Sequence, residues 1–292
     1  MLNSWLYASI AVLLWSTVAT AFSISLRFLN VIQLLFLSSL FSFISLGCII
    51  CFRAVFLKKT VSVTKKAVLR SMFSGLLNPV GYYLVLFSSY SLLSAQHAQA
   101  INYSWGVTLG IISAVFLGQK FTLWDLTGSL IAWMGVVFIV LESASNSPEG
   151  INYYGVLLAI GSTVIWSGYW ILQSISSNDE LTDMFFNFFW GTLYSLLLLI
   201  GTDNLFFPSV IALSGAAWVG FFEMGITFLL WLKAMKTSQK VSDITTLIFL
   251  SPFLSLVFIA FVASEKVRWQ SIGGLIIIVS GLLLKQFFNN RE

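Results

Sequence analysis

The stretch IQLLFLSSLFSFISLGCIICF, Ile32 to Phe52, carries no Asp, Glu, Lys or Arg and is followed at once by Arg53. A bilayer core needs about 20 predominantly apolar residues for one helical crossing, so this stretch reads as a membrane span. Working outward from it, stretches of the same kind run over Trp5–Leu26, Leu69–Tyr90, Gln96–Leu117, Leu123–Leu141, Tyr153–Ile171, Met184–Ile200, Val210–Leu232, Ile244–Val262 and Ile272–Phe288. The sequence therefore predicts an all-α integral membrane protein with ten transmembrane helices. Of its 292 residues 58% are hydrophobic and 9% charged, with a mean hydropathy of +0.93, and the short loops leave no room for a sizeable soluble domain. Ala19-Thr20-Ala21 imitates a signal-peptide cleavage site, but Met1 to Ser4 hold no Lys or Arg, so the first span reads as a retained helix.

Charge sets the orientation. With the N-terminus inside, Arg53, the basic residues of the 58–70 loop, Lys120, Lys233, Lys236, Lys240, Lys285 and Arg291 fall on the cytoplasmic side, and Arg27, Lys266 and Arg268 outside. Short loops rich in Lys and Arg stay in the cytoplasm, which predicts both termini inside. The net charge of +4 is thus mainly a topology signal. No zinc knuckle or basic groove with interleaved aromatics points to nucleic acid. Cys48 and Cys51 lie within an apolar run and His97 is the single histidine, so soft ligands for a metal centre are lacking. No cofactor is expected.

An internal repeat is visible. Leu14-Trp15-Ser16 recurs as Ile165-Trp166-Ser167, and Lys120, Gly128 and Gly135 recur as Lys266, Gly274 and Gly281 at one offset. Halves of 1–141 and 152–288 would hold five spans each, and an odd number of spans per half inverts the second copy relative to the first. Inverted repeats are characteristic of carriers that alternate access around a midplane site.

Leu14-Trp15-Ser16-Thr17, the basic end after the fourth span and Ser264-Glu265-Lys266 together resemble the drug/metabolite transporter superfamily, in particular the ten-helix carriers with two EamA-type halves. The segment from Ala100 to Gly106, with Phe116-Leu117-Gly118-Gln119-Lys120, is similar to the bacterial aromatic amino acid exporter branch, in which proline usually stands at the position of Gly106. The resemblance implies an inner-membrane carrier for amino acids or related metabolites. It further implies a central cavity lined by the first, third, fourth, sixth, eighth and ninth spans, with the glycine-bearing fifth and tenth at the periphery.

An ionisable group in mid-span should face the protein interior. Glu223 is such a group, on a stripe with Ala216, Gly220 and Thr227. It can cycle a proton during transport, pair as an anion with an ammonium group, or lock helices together. His97 opens the fourth span and is a second candidate for proton coupling. Asn102 and Tyr103 follow it on a polar stripe with Gln99 and Gly106, able to recognise a carboxylate or an amide or to bond helices to one another. Pro79 removes a backbone donor, so Asn78-Pro79 interrupts the third span, with Tyr82 on the face of the break. Pro252, with Thr245, Thr246 and Phe249 beside it, mirrors this in the ninth; Pro79, Gly106 and Pro252 are hinge or kink candidates. Trp15 and Trp166 occupy matched mid-span positions, and with Tyr169 they offer flat surfaces either for packing helices together or for stacking on a flat substrate. Trp5, Trp124, Trp218, Trp231 and Trp269 lie near span ends and read as interfacial.

No Gly-Lys-Ser/Thr phosphate loop is present, so ATP is not a direct motor. No His-Glu-x-x-His or paired mid-span aspartates suggest an enzyme. The expectation is a secondary transporter of amino acids, aromatic or neutral, by export or exchange. The alternative is a carrier of cationic or nucleoside-like metabolites, including uptake.

Overall fold

The computed structural model describes residues 2–56, 58, 64–118, 122–146, 152–176, 178–205, 207–237 and 247–289. Among them every regular element is helical. Gln119, Lys120, Lys240, Thr245, Thr246 and Arg291 lie outside the described residues.

Eight helical stretches are long and apolar enough to cross a bilayer, by length and composition: Ser4–Ser25, Val31–Phe56, Ala95–Leu117, Leu123–Leu141, Tyr153–Ser174, Glu180–Gly201, Val210–Trp231 and Trp269–Phe288. Several are built from two pieces. The first comprises α1 (Leu2–Ser16) and α2 (Val18–Ser25). It is followed by α3 (Val31–Phe56). The third expected span is not continuous. Helices α4 (Lys65–Gly75) and α5 (Tyr82–Leu92) flank a π-helical segment, Leu76–Gly81, in which Asn78 leaves helical geometry at φ −142° and ψ 116°. Pro79 has no N–H to continue the ladder, and the break is packed on protein rather than lipid, as the freed backbone requires. The site of an added Gly191 Cβ lies 2.2 Å from Pro79 Cγ.

The fourth span divides at Tyr103-Ser104 into α6 (Ala95–Asn102) and α7 (Trp105–Leu117). Then come α8 (Leu123–Asn146), α9 (Tyr153–Ser174) and α10 (Glu180–Gly201). After α11 (Val210–Trp218) and a π-helical turn, Val219–Glu223, the chain continues as α12 (Ile226–Thr237). A 3-10 turn, Leu247–Leu250, leads into α13 (Ser251–Phe261), and α14 (Trp269–Asn289) ends the described chain. Pro252 sits in the first turn of α13, where a missing N–H costs nothing, so it opens this helix rather than kinking it. Side-chain oxygens of Thr64, Asn152, Asp179 and Ser209 accept from backbone N–H groups three residues on, which fixes where α4, α9, α10 and α11 begin.

Small residues set the closest approaches, as expected where lipid supplies no hydrophobic drive between helices. Helices α8 and α14 pack on each other with Gly128 against the carbonyl of Gly281 and Gly135 against that of Gly274, at 2.6 and 2.7 Å from an ideal Cβ. As one number rises the other falls, so the two helices run antiparallel. Gly220 likewise meets the Ser38 carbonyl of α3 at 2.5 Å.

Candidate functional site

A cavity of about 130 Å³ lies among α1, α2, α5, α6, α7, α9, α12 and the two irregular turns at 219–223 and 247–250. Trp15, Tyr82, Asn102, Tyr103, Trp166 and Glu223 all line it, joined by Gln99, Trp105, Trp170, Phe228 and Trp231. Among these described residues Glu223 is the only charged group.

The backbone explains how Glu223 reaches this position. It ends the π-helical turn, where the N–H of Met224 donates to the Val219 carbonyl at 3.1 Å. An extra residue in one turn rotates everything after it. Carbonyls around the irregular turn accept from side chains: Met224 O from Ser42 Oγ at 3.1 Å, and Phe222 O from Thr227 Oγ1. The carboxylate itself accepts from Tyr83, whose hydroxyl donates to Oε1 at 3.2 Å. Tyr83 is fully buried, held by rings of Phe22, Tyr82 and Phe87.

A second polar chain crosses the wall. Tyr82 Oη donates to Asn102 Oδ1 at 3.4 Å, and Asn102 Nδ2 donates to Ser162 Oγ at 2.9 Å. It links α5, α6 and α9 and leaves the ring of Tyr82 tilted 30° over Trp166 at 4.6 Å. Trp15 meets Phe228 edge-on and Trp231 at an angle, each at 5.5 Å. Offset and edge-to-face rings are the favoured aromatic contacts, so this wall is an ordered flat-sided box rather than loose apolar lining.

The remaining candidates lie elsewhere. Asn78 is buried in the α4–α5 break. Tyr169 accepts from Asn187 Nδ2 at 3.2 Å and lines a second cavity instead. Phe249 packs against the core, and its neighbour Ile248 is the residue that reaches the central cavity. His97 is buried in the first turn of α6, off the lining of both cavities. Gly106 allows α7 to approach α14, with Leu282 Cδ2 2.9 Å from an ideal Cβ. Trp231 corrects an expectation: it is 6% exposed and faces the cavity rather than an interface. Its spacing from Glu223 and Thr227, four residues apiece, puts it on the same helical stripe, a signal the sequence did carry. Trp5, Trp218 and Trp269 are exposed.

At the opposite end from the α3–α4 loop, polar contacts tie α2 and α6 to the α13–α14 connection. Gln96 donates from Nε2 to Lys266 O at 3.0 Å and accepts at Oε1 from the Arg268 N–H at 3.1 Å. Arg27 donates to Ala263 O at 2.9 Å, and Ser23 to Glu265 Oε1 at 3.0 Å.

A family of membrane proteins matches this chain over nearly all of its length: the EamA-like transporter family, over residues 3–141 and 153–285. The chain belongs to the EamA-like transporter family. Two relatives support this EamA assignment. The chain is 24% identical over 217 residues to the Bacillus subtilis (strain 168) protein named uncharacterized transporter YvbV, covering 73% of this chain and 70% of that one. It is also 24% identical over 237 residues to an uncharacterized transporter of Clostridium kluyveri, covering 73% and 74%. A solved crystal structure superposes with a TM-score of 0.68 at 20% identity, over 99% of this chain and 98% of its own, a likeness of fold. The EamA chain is thus a multi-pass membrane protein of a transporter family, and a bilayer and a small-molecule substrate go with that membership.

Proposed function

We propose that this EamA-type chain is a secondary transporter that moves amino acids, aromatic and neutral ones preferred, or similar small metabolites across the bacterial cytoplasmic membrane. In this reading it exports or exchanges its cargo by alternating access. Ten spans form two inverted five-helix halves, 1–141 and 152–288, with both termini in the cytoplasm. The antiparallel apposition of Gly128/Gly135 with Gly281/Gly274 supports a two-fold relation between the halves.

The observation that carries the substrate class is the composition of the central cavity: one carboxylate, Glu223, two amides, Gln99 and Asn102, and a wall of Trp and Tyr rings. A carboxylate suits an ammonium group, amide N–H groups suit a carboxylate, and flat rings suit an aromatic side chain. Together these are the three parts of an aromatic amino acid. Glu223 also serves as the site of proton coupling. Counterflow tests the reading: proteoliposomes loaded with unlabelled phenylalanine should take up labelled phenylalanine well above protein-free vesicles. Uptake at the protein-free level, with exchange of another metabolite by the same preparation, would refute the substrate class.

A second reading, a carrier of cationic or nucleoside-like metabolites, is favoured by the absence of Lys and Arg from the cavity lining among the described residues. The two separate on Glu223→Gln. A cationic cargo should lose binding altogether, whereas a zwitterion, still held by Gln99, Asn102 and the rings, should bind more weakly, lose its response to a pH gradient and keep exchange at higher concentration.

A further inference from the structure

Beside the central cavity lies a second space of about 270 Å³ between the end of α9 and the start of α10. Its inner end is apolar, with Tyr169, Trp170, Met184 and Phe228, and its outer end polar, with Gln173, Asn178 and Asp183. Trp170 and Phe228 line both cavities. Their rings, 6.3 Å apart between centroids and 34° from parallel, are the partition between them.

Asp183 is 6% exposed, and its carboxylate is held by Ser176 Oγ at 2.5 Å and Asn178 Nδ2 at 2.8 Å. Neutral donors fix its direction without cancelling its charge. Neither arginine at this end is paired with Asp183 among the described residues: Arg53 pairs with Asp179 at 3.5 Å and Arg70 donates to the Ile175 carbonyl. A nearly buried carboxylate is costly unless a cation shares it. Glu180 also lines the space. An oriented acid at one end and aromatic and thioether surface at the other form an amphipathic cleft of the kind that orients a small ligand.

We propose that this cavity is a second binding subsite, in series with the central one, for a molecule bearing an ammonium group at Asp183 and an apolar or aromatic body against Tyr169, Met184 and Phe228. Trp170 and Phe228 are the wall the ligand must displace to pass between the sites. The inference rests on the transport reading for its purpose, but binding at the subsite can be measured without transport. On the proposed orientation this subsite faces the cytoplasm and meets outgoing cargo first.

The test is saturation binding of labelled phenethylamine, an ammonium on an aromatic body, to the purified full chain in liposomes. Wild type should saturate at two sites per chain. Asp183→Asn, which keeps size and hydrogen bonding, should weaken one of them by about tenfold or more. Met184→Trp, which fills the cleft without touching charge, should abolish the same site, and Glu223→Gln should weaken the other. Thermal midpoints of the variants guard against misfolding. A single wild-type site unaffected by Asp183→Asn and Met184→Trp would overturn the subsite, as would an absence of phenethylamine binding. Two sites with the predicted variant effects, but amino acid counterflow at the protein-free level, would uphold the subsite and remove the transport reading instead.

Discussion

Replacing Tyr83 by Phe removes one oxygen from the protein and nothing else. The rings around it, at centroid distances of 6.4 Å to Phe22, 4.7 Å to Tyr82 and 5.3 Å to Phe87, keep their packing, and the hydrogen bond to Glu223 Oε1 at 3.2 Å is lost. Hydrogen bonds to charged groups contribute about 1.5–3 kcal/mol, but the strongest O–H···O⁻ bonds measure about 2.5–2.7 Å. At the longer distance found here about 1 kcal/mol is appropriate, or about fivefold in an equilibrium constant. The expected outcome is a change of about fivefold in the half-saturation concentration for phenylalanine counterflow, with the thermal midpoint nearly unchanged. Glu223→Met keeps the length of the side chain and removes the acceptor. In that background Tyr83→Phe should have little further effect on labelled phenylalanine binding, because the two residues act through one bond. An equal effect of Tyr83→Phe in both backgrounds would refute the argument that the hydroxyl works by orienting the carboxylate.

Other outcomes follow from the same geometry. Trp166→Ala removes the face on which Tyr82 lies at 4.6 Å and should weaken aromatic amino acids more than alanine in a competition panel; equal loss for both would argue against ring recognition. Gly281→Ala brings a Cβ to 2.4 Å from the Gly128 carbonyl and 2.7 Å from the Ala132 nitrogen, backbone atoms that cannot turn aside. It should destabilise by about 1–3 kcal/mol, seen as a lower thermal midpoint in detergent, and an unchanged midpoint would mean that α8 and α14 do not pack as described. With Cys48 and Cys51, both exposed, first changed to Ser, a cysteine at Asn204 should react with an impermeant maleimide on whole cells and one at Asn178 only after permeabilisation. The reverse pattern would invert the orientation.

What the sequence disclosed and what it withheld divide along a physical line. Apolar runs locate the eight stretches long enough to cross a bilayer, because solvation by lipid acts on each segment separately. The Asn78-Pro79 break was legible because proline's missing donor is a local property, and Glu223 because a mid-span carboxyl is expensive wherever it sits. Tyr83 gave no such signal. It stands beside Tyr82 with the same composition around it, and its partner lies 140 residues away, across a contact that only helix packing creates. The π-helical turn at 219–223 is equally hidden, since a one-residue shift of register without a proline leaves hydropathy unchanged. Trp231 reads as interfacial because its place near a span end is a stronger signal than its period with Glu223, and the second cavity gives no signal because its acid, Asp183, lies in the first turn of α10, where charge on a membrane helix is unexceptional.

The ties between α2, α6 and the 263–268 connection have a consequence in their chemistry. Three of the four end on main-chain groups of that connection, the Ala263 and Lys266 carbonyls and the Arg268 N–H. Main-chain groups are present whatever side chains the connection carries, proline at 268 excepted, so other substitutions at 266 or 268 leave this clasp its partners. Its strength is set from the other side, by Gln96 and Arg27. Any movement that parts the first and fourth spans from the connection must release both together, and two side chains thereby hold the threshold for that movement.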